Sequence, residues 1–169
     1  MQEINLSSCK IFVFSYPLGF NGSTVQRLEN MKIERFEDIE AWQLARELTN
    51  KVYRLTKKPT FEKDYGLKRQ IQEAAGSAMH NIAEGFDSET NAEFTRFLRY
   101  AKRSCTEVQS ELYVALDETY ISMAEFQDVY EQARRTRAAV RGFINYLKKY
   151  QARVEKITVN REPLNREPE

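Results

Sequence analysis

Apolar residues recur at three- and four-residue steps through most of the chain after residue 31, which is the spacing of one face of an α-helix. The pattern predicts four amphipathic helices, over residues 39–56, 64–84, 90–119 and 122–150. Helices of about 18 to 30 residues joined by short connections fold most simply as an antiparallel up-down-up-down four-helix bundle. We therefore expect an all-α protein.

Particular residue types mark the predicted helix ends. Thr90 with Glu93, and Ser122 with Glu125, have the spacing of a capping box, in which two side chains satisfy backbone amides at the start of a helix. Gly85 is expected to end the second helix, because a residue without Cβ enters the left-handed conformation without penalty. Pro59 is expected to end the first.

The pattern divides the chain into a central domain and two terminal segments. Residues 34–153 form the predicted bundle domain. Residues 1–33 contain short β-leaning stretches, such as Ile11 to Phe14, and read as a disordered extension or as sequence upstream of a true start at Met31. A strand or arm that packs on a partner is the alternative. Residues 154–169, with Pro163, Pro168 and alternating charges, are expected to be a disordered tail.

Composition adds the class of protein. The 169 residues include 41% hydrophobic residues and carry a formal net charge of +1, as expected for one soluble domain. No apolar run approaches the ~18 residues that a membrane span requires. Cys9 and Cys105 have no paired spacing that would indicate a metal or redox site. We expect a cytoplasmic protein.

The charges are segregated along the second half of the chain. Residues 104–131 carry seven acidic residues and no basic one, whereas residues 132–154 carry seven basic residues and no acidic one. In an antiparallel bundle, the second hairpin then has an acidic pole and a basic pole, and the first hairpin has the opposite order. We expect acidic and basic residues of the two hairpins to pair at each end, which disfavours the reversed arrangement.

The basic pole is the candidate binding surface. Its residues are expected to contact nucleic-acid phosphates and not base edges. The candidates are Arg96, Arg99, Lys102, Arg103, Arg134, Arg135, Arg137 and Arg141. The alternative is a structural or protein-interaction scaffold, in which these residues pair with acidic helices within an oligomer. An anionic membrane is a third reading, and a net charge near zero disfavours a large non-specific DNA footprint.

No residue pattern indicates catalysis, a cofactor or a metal. The chain's one histidine, His80, cannot define a metal site alone. Ser77 and Ser104 have no base at a recognisable spacing. Glu84 and Glu107 lack the second Glu-x-x-His pair of a di-iron bundle. We therefore expect a protein that is not an enzyme.

Three segments carry a resemblance to a known family. They are residues 36–45 (FEDIEAWQLA), residues 65–71 with 81–85 (YGLKRQI and NIAEG), and residues 94–107 (FTRFLRYAKRSCTE). In this order they resemble the four-helix-bundle proteins encoded in intervening sequences of bacterial large-subunit ribosomal RNA, also labelled ribosomal protein S23. The resemblance covers about residues 34 to 150.

The resemblance implies a four-helix subunit that assembles as a ring-like homopentamer. A related branch, the accessory variability determinant of diversity-generating retroelements, implies binding of RNA or DNA and, in that setting, of a reverse transcriptase. Two residues depart from the family pattern. Met79 stands where proline is common, and Arg103 where glycine is common. The first is expected to give a straighter helix, and the second to enlarge the basic pole.

Overall fold

The computed structural model describes residues 33–159. Four long helices make up most of this part of the chain, which confirms the all-α prediction: α1 (Glu40–Leu55), α2 (Tyr65–Phe86), α3 (Asn91–Asp117) and α4 (Met123–Val159). A 3-10 turn at Phe36–Asp38 precedes α1, and a one-turn helix at Pro59–Glu62 follows it. The expectations for residues 1–32 and 160–169 lie outside the described residues.

Side-chain contacts fix the direction of α1, α2 and α3. Between α1 and α2, Thr49 Oγ1 donates a hydrogen bond to the carbonyl of Ala75 at 3.0 Å, and Gln72 Nε2 donates one to Thr56 Oγ1 at 2.6 Å. Residue numbers rise along α1 while they fall along α2, so the two helices are antiparallel. The Phe94 ring and the Phe97 Cβ lie against Gly85, and Ser104 Oγ donates a hydrogen bond to Ser77 Oγ, so α2 and α3 are antiparallel as well.

Contacts of α4 close the bundle. The ring centroids of Phe94 of α3 and Phe143 of α4 lie 5.1 Å apart, and those of Tyr113 of α3 and Phe126 of α4 lie 4.9 Å apart. On its other side α4 contacts α1, because Gln132 Nε2 and Thr136 Oγ1 donate hydrogen bonds to the carbonyl of Leu44 at 3.0 and 3.2 Å. Lys58, in the segment after α1, donates a hydrogen bond to Glu125 of α4. Each long helix therefore packs antiparallel to two neighbours.

The core is built from the four apolar stripes. Its largest fully buried side chains include Leu48 of α1, Ile71 and Ile82 of α2, Leu98 of α3 and Leu147 of α4. Burial of this apolar area is the main favourable contribution to folding, at about 25 cal/mol per Å². No helix within the described residues is both long enough and apolar enough to cross a membrane.

Side chains cap three of the long helices at their N-termini. Asp64 accepts a hydrogen bond from the Leu67 amide at 3.0 Å at the start of α2. At the start of α4 the predicted capping box is complete, because Ser122 Oγ accepts from the Glu125 amide and Glu125 accepts from the Ser122 amide at 2.8 Å.

The predicted box at the start of α3 forms only in part. Thr90 Oγ1 accepts a hydrogen bond from the Glu93 amide at 3.1 Å, as expected. The Glu93 carboxylate, however, is bound to Arg96 at 2.9 Å. The predicted return bond from Glu93 is therefore replaced by an ion pair one turn further along the helix.

The prediction that Gly85 ends α2 through a left-handed conformation is wrong. Gly85 lies inside the helix, which continues to Phe86 and is followed by Asp87. A Cβ at position 85 would come within 2.5 Å of the Phe94 ring and 2.8 Å of Phe97 Cβ. Glycine at this position leaves room for α3 to approach the backbone of α2.

The α3–α4 turn contains a residue with a positive φ angle. Thr119 has φ 57°, the left-handed conformation in which a Cβ is strained. The Tyr120 amide donates to the Ala115 carbonyl at 2.9 Å and the Thr119 amide to the Leu116 carbonyl at 2.9 Å, the bond pattern of a Schellman motif. The threonine therefore occupies a position that usually holds glycine.

The first helix ends at Leu55, before Pro59 and within one residue of the predicted end at Thr56. Pro59 begins the following one-turn helix, where its missing amide leaves no intrahelical bond unmade. The fourth helix runs to Val159, nine residues past the predicted end at Tyr150. No glycine or proline interrupts residues 150–159, which fits the longer helix.

Candidate nucleic-acid interface

The candidate interface is set by how α3 packs on α4. Phe94 pairs with Phe143 near one end of the two helices, and Tyr113 with Tyr130 nearer the other. Residues 96–106 of α3 therefore lie level with residues 134–144 of α4.

Positive charge is concentrated in one half of the second hairpin. Residues 91–103 of α3 and 132–153 of α4 contain eleven basic residues and one acidic residue, Glu93. Of the eight predicted site residues, which all belong to this half, only Lys102 is partly buried and the other seven are exposed. The predicted basic pole therefore lies at the protein surface.

The eight residues do not form a single patch. With about 100° between successive helix positions, five of them border the outer groove between α3 and α4. We call these five residues the basic seam: Arg99, Lys102, Arg134, Arg137 and Arg141. Arg96 and Arg103 lie on the outer face of α3 away from this groove, and Arg135 lies on the flank of α4 that faces α1.

Two of the eight are already paired with acidic residues on their own helices. Arg96 Nη2 lies 2.9 Å from Glu93, and Arg134 binds both carboxylate oxygens of Glu131 at 2.7 Å. The remaining six make no ion pair within 4.0 Å among residues 33–159. Four of these six belong to the basic seam, which therefore retains most of its positive charge.

At the opposite end of the bundle the two hairpins are joined by ion pairs, as predicted. Lys51 of α1 binds Asp128 of α4, and Lys58 Nζ lies 2.8 Å from Glu125. The Lys58 ammonium and the Ser122 amide, which donate hydrogen bonds to Glu125, lower the pKa of its carboxyl to about 2. This end of the interface between the hairpins is neutralised.

The predicted pairing at the basic pole is not seen. Among the described residues, no ion pair connects an acidic residue of α1 or α2 to a basic residue of α3 or of the second half of α4. Glu37 instead binds Arg35 just before α1. The charge complementarity of the hairpins thus produces contacts at one end of the bundle only.

The hydroxyl groups of Ser77 and Ser104 and the thiol of Cys105 lie where helices pack on each other. Ser104 Oγ donates to Ser77 Oγ at 3.0 Å across the α2–α3 interface, and Asn81 Nδ2 donates to the Ser77 carbonyl at 2.8 Å. Burial raises the pKa of the Cys105 thiol to about 12. His80 is exposed, and residues 33–159 contain no group of three His, Cys, Asp or Glu side chains that could hold a metal ion.

Two exposed aromatic residues in the basic half were not selected from the sequence. Tyr100 is 44% exposed and Tyr150 is 37% exposed, although both are large and apolar. Both lie outside the apolar stripes and one helical turn from an arginine. An aromatic residue at such a position is predicted to be exposed, and this pattern could have identified both residues from the sequence. A sequence search that ranks charge alone passes over them.

Residues 37–142 match the family described as 23S rRNA-intervening sequence protein. The fold is similar to a crystal structure, at 1.70 Å resolution, of a protein with unknown function from the S23 ribosomal protein family of Bacteroides thetaiotaomicron VPI-5482. The TM-score is 0.59 at 18% sequence identity, over 62% of this chain and 97% of that one. No curated protein matches the sequence. Because the family match covers the four-helix core, the chain belongs to the 23S rRNA-intervening sequence protein family.

Proposed function

We propose that this protein is a non-enzymatic accessory factor that binds the phosphate backbone of RNA or DNA through its basic seam. The observation that supports the proposal is the arrangement of Arg99, Lys102, Arg137 and Arg141. These four residues border one groove from both sides and make no ion pair among the described residues. A row of like charges is a cost to the isolated protein that a bound polyanion removes.

The geometry suits phosphates better than base edges. The side chains lie along a groove between two helices that pack on each other, so neither helix is free to enter the major groove of a duplex. Arginine and lysine on such a surface bind phosphate oxygens without reading sequence. The expected binding is therefore salt-dependent and shows little preference for sequence.

The test is a titration of binding against salt. Fluorescence anisotropy of a labelled RNA and a labelled DNA of about 20 nucleotides is measured between about 50 and 300 mM NaCl. We expect log K to fall linearly with log salt, by about 0.7 to 0.9 for each phosphate contact. The double variant Arg99→Gln/Arg141→Gln should lower the slope by about 1.4 to 1.8.

The matched control is Arg54→Gln/Lys57→Gln, which removes two exposed charges from the first hairpin that also make no ion pair within the described residues. The control should keep the wild-type slope. Absence of binding at 50 mM salt, or equal effects of the two double variants, would contradict the proposed role of the basic seam.

A protein-interaction scaffold is the second candidate function, and a different surface supports it. Large apolar side chains are exposed at the end of the bundle opposite the basic half, where α2 begins, α3 ends and α4 begins. They are Tyr65 (79% exposed), Met123 (55%), Tyr113 (50%) and Val114 (43%). Exposed apolar residues gathered in one region are typical of surfaces that bind protein. A second copy of the chain is the partner that we propose, in a homopentamer as the family resemblance implies.

A further inference from the structure

The groove between α3 and α4 that bears the basic seam has a cluster of aromatic rings at its other end. Tyr113 of α3 lies against Phe126 and Tyr130 of α4, with ring centroids 4.9 and 5.8 Å apart, and Phe126 stacks on Tyr130 at 5.2 Å. We call these three residues the aromatic platform. Phe126 is buried, Tyr130 is partly buried and Tyr113 is 50% exposed. Tyr113 is therefore the outer ring, and the side of it that faces away from Phe126 is open to a ligand.

Helical spacing places the platform in line with the basic seam on α4. Steps of four, three and four residues lead from Tyr130 to the seam residues Arg134, Arg137 and Arg141. Residues at such steps lie on one face of a helix. Tyr130 and Arg141 are eleven positions apart, or about 16 Å at the rise of an α-helix. One ligand of modest length can therefore contact both the platform and the seam.

The α3 side of the groove has the same order of residues. Arg99, Thr106 and Tyr113 recur at seven-residue steps, and Lys102 lies between the first two at steps of three and four. Tyr113 contacts α4 directly, so this row of side chains borders the groove between the two helices. Both helices thus present basic residues and then a tyrosine along one groove.

Charge along the groove fixes where the phosphates of a polyanion can lie. Four of the five seam residues make no ion pair within 4.0 Å among residues 33–159. Beyond the platform, α3 ends at Asp117 and Glu118 follows, and both are exposed. Phosphates are attracted by the seam and repelled by these two acids. The backbone of a bound strand should therefore lie on the seam, whereas an uncharged ring suits the platform.

From this arrangement we infer that the nucleic acid bound by the basic seam places one unpaired base on Tyr113. The inference rests on the proposed function and names the feature that the same groove accepts, which is a single-stranded stretch or an unpaired end next to the bound phosphates. A base that stacks on an aromatic side chain must offer a free face. Paired bases inside a duplex stack on each other and offer none.

Tyr113 is held in position before a ligand binds. Its ring packs on Phe126 and Tyr130, and a hydrogen bond with Tyr130 raises the pKa of its phenol. A side chain that is immobilised on binding loses rotamer freedom, and that loss reduces affinity. The ring of Tyr113 can therefore accept a base at a smaller entropic cost than an unsupported exposed ring.

The experiment compares two DNA strands of about 20 nucleotides that carry the same phosphates, one with bases and one made of abasic sites. Fluorescence anisotropy at a fixed salt concentration measures the binding of each. Tyr113→Leu keeps an apolar side chain on Phe126 but removes the flat ring. This variant should weaken binding of the strand with bases by about 5- to 100-fold and leave binding of the abasic strand unchanged.

Two further variants separate stacking from a structural effect. Tyr113→Phe keeps the ring and should keep the wild-type affinity. Tyr100→Leu is the matched control on the same helix, because Tyr100 is 44% exposed but packs on Phe97, whose Cβ lies against Gly85 of α2 on the other flank of α3. It should bind both strands as wild type does. Circular dichroism melting and sedimentation velocity check that each variant keeps the wild-type fold and mass.

A duplex of the same sequence tests whether the base must be unpaired. Its interior bases have no free face and its terminal pairs are few, so Tyr113→Leu should change its affinity by less than about twofold. A loss of duplex binding as large as the loss of single-strand binding would overturn the requirement for an unpaired base.

An equal loss of both single strands in Tyr113→Leu, or no loss of either, would overturn the stacking inference and leave the phosphate-binding function standing. Tighter binding of polyglutamate than of the abasic strand would also overturn it, because an acidic protein segment would then be the better occupant of the groove. Absence of binding to either strand at low salt would remove the proposed function itself.

Discussion

Gly85 and Gly142 show how one residue type can have opposite effects at two helical positions. A Cβ at position 85 would overlap Phe94 and Phe97, whereas a Cβ at position 142 would meet nothing within 4 Å. Overpacking of a core typically costs about 1 to 3 kcal/mol, and an exposed helical glycine costs about 1 kcal/mol relative to alanine. The two glycines therefore predict changes of opposite sign.

We expect Gly85→Ala to lower the free energy of unfolding by about 1 to 3 kcal/mol. Gly142→Ala, its matched control, should raise it by about 0.5 to 1 kcal/mol, because alanine loses less conformational entropy on forming a helix. Urea denaturation followed by circular dichroism measures both. A stabilising Gly85→Ala would show that α2 and α3 are not in close contact at this position.

The sequence could not have distinguished these roles of Gly85. A glycine near the end of an amphipathic stripe is expected both where a helix stops and where a neighbouring helix comes close. Only the position of Phe94, nine residues later in the chain, separates the two explanations. The apolar residues of the same stripe were predictable, because their burial depends on helical periodicity alone.

Thr119 gives the second prediction for a single residue. A β-branched residue with φ 57° is strained, and glycine removes the clash of the Cβ with the backbone. We expect Thr119→Gly to raise the free energy of unfolding by about 0.5 to 1 kcal/mol, after the greater entropy of glycine in the unfolded chain is subtracted. Thr106→Gly, at an exposed position inside α3, should lower it by a similar amount. Equal effects of the two variants would contradict a strained turn.

At the scale of elements, the start of α4 combines a helix cap with an ion pair. Glu125 accepts hydrogen bonds from Ser122 of its own cap and from Lys58 of the first hairpin. The capping box was predictable from the spacing of Ser122 and Glu125, because it is local. The contact with Lys58 was not, since it depends on the rotation of α4 relative to the segment that follows α1.

This contact predicts how stability depends on pH. The pKa of Glu125, about 2, is lower than the ordinary carboxyl value, so its ionised form is favoured by folding. The stabilisation is present above the ordinary pKa and is lost as the pH falls toward 2. We expect Lys58→Met to raise the pKa of Glu125 toward the ordinary value, measured by NMR titration of its side-chain carboxyl.

Denaturation of the same variant at several pH values gives a second readout. Lys58→Met should lose less stability than wild type between about pH 5 and pH 3, because without Lys58 the folded state favours the ionised carboxyl of Glu125 less strongly. Lys57→Met, which removes an adjacent exposed charge that makes no ion pair in the described chain, should behave like wild type. An unchanged pKa of Glu125 in Lys58→Met would contradict the contact.

At the scale of the whole molecule, the order of charges along the chain predicted the two poles but not which of them would be neutralised. Helix order and antiparallel packing place acidic and basic residues at the same end of the bundle. Whether they come within 4 Å depends on the rotation of each helix, which the apolar stripes fix without regard to charge. Lys51 reaches Asp128, whereas Arg99 and Arg141 reach no described carboxylate. The sequence therefore predicted the region in which the candidate residues lie, but not which of them border the groove between α3 and α4.

The exposed apolar surface at the opposite end predicts self-association. Val114→Glu/Met123→Glu places two charges on that surface, and desolvation of a charge in an interface is costly. We expect the proposed oligomer to form in the wild-type protein and to dissociate in this variant, measured by sedimentation velocity at micromolar concentration. Tyr53→Glu, at a 46% exposed position on α1, is the matched control and should leave the oligomer intact. A monomeric wild-type protein would contradict the scaffold proposal.

The length of α4 has a consequence for how the molecule opens. With 37 residues it is about 55 Å long, against about 40 Å for the 27 residues of α3. Between residues 123 and 153 of α4 the last buried residue is Leu147, and residues 148–153 are exposed. A helical segment that buries little of its surface gains little stability from packing. Amide hydrogen exchange should therefore divide α4 near Leu147, with slow exchange before this residue and faster exchange at residues 148–153, although both parts belong to one continuous helix.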